Sequence, residues 1–100
     1  MEQKNQNINV TIAPDLAVGK YSNLAIIAHS KSEFAIDFAT VLPGIQGAQV
    51  HSRIIMAPEH AKRLLMALQD NIQKYETQFG TIELGNQPAA PMPIAFGGEA

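Results

Sequence analysis

The side chains of this chain best suited to chemistry lie close together: His29, Glu33 and Asp37. His29 and Glu33 flank a short polar stretch, Ser30-Lys31-Ser32. A turn there would set them near each other across a hairpin. Asp37 stands inside an apolar run, where a carboxylate is unusual and needs a partner. An imidazole beside two carboxylates can relay a proton or contribute to a metal site. A metal site, however, wants three or four ligands with groups that orient them, and these three are all that the chain offers. The alternative is a polar turn, with Asp37 paired to Lys20, Arg53 or a second subunit. That alternative is favoured, so no metal ligand, catalytic residue or cofactor is assigned, and the chain is not expected to be an enzyme.

Other candidates are weaker. His60 and Arg63 sit near a helix start, where an anion could bind. Glu59 lies four residues before Arg63, and an exposed ion pair accounts for both. His51 and Arg53 are expected on the outward side of a strand. Ser22, Ser30, Ser32 and Ser52 lack the glycine context of a nucleophile elbow, and no glycine-rich phosphate loop is present. The chain has seven basic residues, no basic cluster larger than Lys62-Arg63 and a net charge of −2. Nucleic acid is therefore not an expected partner. There are no cysteines, which excludes disulfide scaffolds and thiolate chemistry. The polar start MEQKNQNI does not read as a signal peptide, and no run reaches transmembrane length, so a cytoplasmic protein with no membrane partner is expected.

One long element must position these groups. From Pro58 to Phe79, Ala61, Leu65, Leu68, Ile72, Tyr75 and Phe79 follow a four, three, four, three, four spacing, one stripe of a helix. Pro58 suits the first turn, Glu59 the positive end of the dipole, and Gly80 the stop. Ala57, at the N-cap, is a poor capping residue. Before the helix, Ile8, Val10 and Ile12 alternate with polar residues as a half-buried strand would. Strands are read over Tyr21 to His29 and Glu33 to Val41, joined by the Ser30–Ser32 turn. A helical reading of the latter competes, because Phe34, Phe38, Val41 and Leu42 also fit helical spacing, but the aromatic and β-branched content leans to strand. Pro43-Gly44 is a turn signal, and Gln49 to Met56 alternates again.

The 100 residues thus make one α+β domain: a four-stranded antiparallel sheet followed by one long C-terminal amphipathic helix. Residues 1–6 are expected to fray, 7–84 to fold, and the Gly/Pro/Ala-rich 85–100 to be a flexible tail. The helix is expected to cover one sheet face. The second face, with Ala25 and Ile27, or their alternates, beside Ala35 and Ala39, would lack cover, and self-association follows. The expected oligomer or partner surface comprises those four residues together with Leu65, Leu68, Ile72 and Tyr75.

The blocks KYSNLAIIAHSKSEFAIDF, LPG at Leu42 to Gly44, and SRIIMAPEHAKRLLMALQDNIQKYE resemble an uncharacterised bacterial family, domain of unknown function 3467. Ala57 departs from the Thr or Ser that the family sets before Pro-Glu-His. The layout of strands and long helix is also similar to the SecB export chaperones, which assemble as dimers and tetramers; that likeness is of architecture only. The expected function is a small homo-oligomeric, protein-binding module with chaperone-like character. An accessory subunit of a larger complex, for instance one associated with transcription, is the alternative, and a metal-dependent protein using His29, Glu33 and Asp37 comes third.

Overall fold

A computed structural model of the chain describes residues 8–85. The predicted frayed end, 1–6, and the predicted tail beyond Gly85 fall outside them. The elements are a short helix α1 (Pro14–Ala17), strands β1 (Leu24–His29), β2 (Phe34–Thr40) and β3 (Gln49–Met56), and the long helix α2 (Pro58–Phe79). The strands form one antiparallel sheet in the order β1-β2-β3. The fold is α+β, as expected, but the sheet has three strands among the described residues rather than four. Residues 8–12, expected as the first strand, are in neither helix nor strand, and Ile8, Val10 and Ile12 are 77%, 88% and 63% exposed. Alternation makes a segment fit for a strand; only a backbone partner makes it one.

The hairpin between β1 and β2 closes through Ser30. Its N–H donates to the Glu33 carbonyl at 2.9 Å, and its Oγ accepts from the N–H groups of Ser32 and Glu33 at 3.2 and 3.3 Å. A serine that takes up free turn amides in this way competes with any helical reading of the stretch. At the opposite end, Asn23 stands in for a strand residue. Its side-chain amide donates to the Val41 carbonyl at 3.1 Å, and its Oδ1 accepts from the Val41 N–H at 2.8 Å.

Strand β3 carries an irregularity. Phe38 pairs with Ser52 and Ala39 with Val50, so His51 has no partner in β2. This is a bulge, and it shifts the side-chain alternation on either side of it. Val50 therefore shares a face with Arg53 and Ile55, and not with Ser52, Ile54 and Met56 as unbroken alternation predicts. The pairing also sorts the predicted sheet surface. Ala25 and Ile27 lie opposite Phe38 and Ile36, on one face; Ala35 and Ala39 lie opposite Ala28 and Leu24, on the other. The four expected surface residues are thus divided between two faces.

Burial is confined to the central strand. Ile36 is 6% exposed, Ala39 0% and Asp37 7%, because β2 alone has a strand on each side. The helix contributes nothing to this core. None of its 22 residues is buried, and it makes almost no contact with the sheet. The expectation that α2 covers one sheet face is therefore corrected. The physical reason is the junction: Ala57 is the only residue between β3 and α2, whereas a helix that folds back on its sheet ordinarily needs a loop of about 2–6 residues.

Within itself the helix is as predicted. Glu59–Arg63 and Asp70–Lys74 pair at 2.7 and 3.0 Å, both exposed to solvent and so of little weight for stability. Gly80 ends it with φ 102°, and its N–H donates to the Glu76 carbonyl at 2.9 Å. The Glu76 carboxylate then accepts from the Ile82 N–H at 2.9 Å, turning the chain back past the stop. Ala57 has extended backbone (φ −67°, ψ 153°) and makes no side-chain cap. Ala57→Ser is expected to supply that cap and add about 0.5–1 kcal/mol, read as a higher denaturation midpoint at constant protein concentration.

Candidate functional site

The three chemical candidates do not converge. His29 lies opposite Phe34 at the turn end of the sheet, and its ring stacks on Phe34 with centroids 5.3 Å apart. Glu33 joins the turn through its backbone. Asp37 lies opposite Ile26, on the other face from His29 and further along the strand. Among the described residues, no group of three or more His, Asp or Glu is placed to hold a metal ion.

Asp37 is committed elsewhere. Arg53 sits opposite it across the β2–β3 ladder and donates through Nε to Oδ1 at 2.6 Å and through Nη2 to Oδ2 at 2.8 Å. Of the partners considered from sequence, the register selects Arg53. The pair is a two-pronged, charge-assisted contact. Its carboxylate is enclosed and its guanidinium mostly in solvent, with side chains 9% and 64% exposed. The hydrogen bond from Arg53 holds the Asp37 carboxyl below its ordinary value; burial opposes this, and the arginine's charge adds to it. A carboxylate with a depressed folded pKa contributes stability that is present above its unfolded value of about 3.9 and lost as pH falls through the folded value. Two outcomes follow for denaturation midpoints measured between pH 2 and pH 7. The native chain loses stability through the acid end of that window, and Asp37→Asn flattens the loss. Arg53→Met is destabilised already at pH 7, because it leaves a near-enclosed carboxylate without its cation.

A polar cluster that sequence reading missed lies at the other end of the sheet. The Tyr21 carbonyl accepts from Thr40 Oγ1 at 2.8 Å and contacts His51 Nε2 at 3.1 Å, while His51 Nδ1 meets Ser52 Oγ at 2.9 Å. Ser22 Oγ donates to the Ala39 carbonyl at 2.9 Å. His51 is half-buried and turned to this cluster, not outward beside Arg53. No sequence signal marks it, because its position depends on the bulge. Next to the cluster an open cleft of about 740 Å³ runs between the α1 region and the sheet; Leu16, Val18 and Tyr21 form one side, and Phe38 and Ile54 the other. Its walls are largely apolar, suited to a hydrophobic side chain, and Asp15 and the paired His51 and Ser52 also line it.

The larger feature is apolar surface. On α2, Leu65, Leu68, Ile72 and Tyr75 are 54%, 54%, 39% and 49% exposed, with the Phe79 ring tilted against Tyr75 at a centroid distance of 5.0 Å. On the sheet, Ile27 and Ile54 are also substantially exposed on one face, and Ile55 on the other. The ion pairs of α2 fall on the helical side opposite the stripe, so the helix is divided into a charged side and an apolar side. Among the described residues, no helix is long and apolar enough to cross a membrane.

No curated protein and no solved structure matches the chain. The likeness to SecB gains no support: the sheet has three strands, and the helix stands apart from it. A family model described as "Protein of unknown function (DUF3467)" matches residues 1–84, a longer span than the blocks that carry the resemblance in sequence. That match takes in every described element, and the chain belongs to the DUF3467 family.

Proposed function

We propose that this protein is a small homo-oligomer that works by binding other polypeptides and not by catalysis. The observation that carries the reading is the α2 stripe, apolar over its whole length and uncovered by its own sheet. Ordering a residue costs roughly 1–2 kcal/mol, and most helices in proteins recover this by packing an apolar face. Each Leu, Ile or Phe of the stripe would return roughly 1.5–3 kcal/mol on burial. A second copy of the chain is the partner always at hand, and a two-fold axis lets the same stripe serve both copies. Helices paired in this way leave the sheet faces free, and their apolar residues suit extended, hydrophobic segments of client chains.

Light scattering on the purified full-length chain tests the assembly. A dimer or larger species is expected, and a monomer at micromolar concentration overturns the reading. Suppression of aggregation of an unfolded client tests the second part, with Ile27→Ser and Ile54→Ser expected to weaken it. Capture of one stoichiometric partner, without client activity, points instead to an accessory subunit of a larger complex.

A further inference from the structure

We infer that residues 8–12 of one copy add as a strand to the outer edge of β1 in a second copy. This rests on the homo-oligomer reading above and goes beyond it by naming a second contact. Two independent observations meet here. The first is a strand-patterned segment with no strand to join. Ile8, Val10 and Ile12 alternate with Asn9 and Thr11, and no backbone hydrogen bond joins residues 8–12 to another described residue. The second is an edge with no protection. β1, LAIIAH, has no charged residue, no proline and no bulge, and among the described residues only β2 pairs with it. An apolar, regular edge of this kind is a template for another chain unless something covers it. The opposite edge of the sheet differs, since β3 carries both the His51 bulge and Arg53.

The segment is kept from its own β1 edge. Contacts of Thr40 and His51 with the Tyr21 carbonyl hold the chain leading into β1 toward β2 and β3. Leu16 and Val18 then line the cleft beside Ser52 and Ile54, on the β3 side of the sheet. Residues 8–12 are thus led away from the edge that they match, and the edge must take them from another copy. Two such additions, related by a two-fold axis, close the pair without leaving a free template. Backbone bonds supply the adhesion, and Ile8, Val10 and Ile12 extend one apolar face.

Hydrogen exchange read by mass spectrometry on the full-length chain, beside light scattering, tests this. Peptides covering residues 8–12 and β1 are expected to exchange at least tenfold more slowly than an unstructured chain. Val10→Pro, which breaks no backbone bond to the described residues of its own chain, is expected to remove the protection from both peptides. The absence of native cysteines allows a second measurement. Val10→Cys combined with Ala25→Cys or Ile26→Cys is expected to oxidise to a covalent dimer. Unprotected 8–12 in a chain that scatters as a dimer overturns the strand addition and leaves the assembly standing; so does β1 protected while 8–12 is not, the mark of β1 meeting β1. A disulfide closed within a single chain overturns the exchange between copies. A monomeric particle overturns both readings together.

Discussion

Leu68→Asp is expected to dissociate the proposed homo-oligomer and to remove much of its helical circular dichroism in the same step. Leu68 is central in the α2 stripe and 54% exposed, on a helix that makes almost no contact with its own sheet. Burying it is worth roughly 1.5–3 kcal/mol, and a carboxylate in its place adds the cost of an unpaired charge at an apolar contact. Since about 1.4 kcal/mol is tenfold in an equilibrium constant, the dissociation constant should rise at least about a hundredfold. Loss of helicity should accompany this, because a helix without a packed face is marginal in water. Gln73→Asp, on the charged side of the same helix, is the control and should leave both mass and spectrum unchanged. Sedimentation or light scattering beside circular dichroism reads the outcome. A Leu68→Asp chain that stays assembled would remove the stripe from the interface.

Ile36→Ala is expected to cost roughly 2–5 kcal/mol, the usual range for truncating a buried branched aliphatic side chain. The position is special because so little else is buried. Ile36 and Ala39 are the buried apolar residues among those described, and both belong to the strand that holds the other two together. A domain has only about 5–15 kcal/mol of net stability, so this one truncation consumes a large share of it. Denaturant midpoints must be compared at equal protein concentration, since the stability of an assembly depends on it. Ile55→Ala, on the exposed β3 position opposite Ala35, should cost far less unless that face is covered by a partner.

The local elements were legible because their signals are local. Pro58, the four-three stripe and Gly80 mark α2 at both ends, and Ser30 marks the hairpin. What sequence could not supply was pairing. Ile8 to Ile12 has a strand's pattern, yet a pattern does not name the backbone that will accept it. The bulge at His51 is a feature of the β2–β3 pairing and leaves no trace in composition; with it His51 meets the Tyr21 carbonyl while Arg53 lies opposite Asp37. The stripe of α2 states that a face must be covered and is silent on which chain covers it. The candidate group of His29, Glu33 and Asp37 failed for the same reason. Closeness along the chain was visible, but the pleat set His29 and Asp37 on opposite faces.

The single-residue junction at Ala57 has a topological consequence. Where a hinge is long, a chain can choose between closing on itself and exchanging an element with a neighbour, and dilution favours the first. Here the hinge is a single residue, and the helix that follows stands clear of its own sheet. A longer hinge would bring intramolecular closure into play, with its effective concentration in the millimolar range for a short flexible linker. On the proposed reading, the chain is one half of a pair in which each copy covers the apolar stripe of the other. A few residues inserted between Met56 and Pro58 are expected to let α2 close on its own sheet, giving a monomer that competes with the proposed assembly.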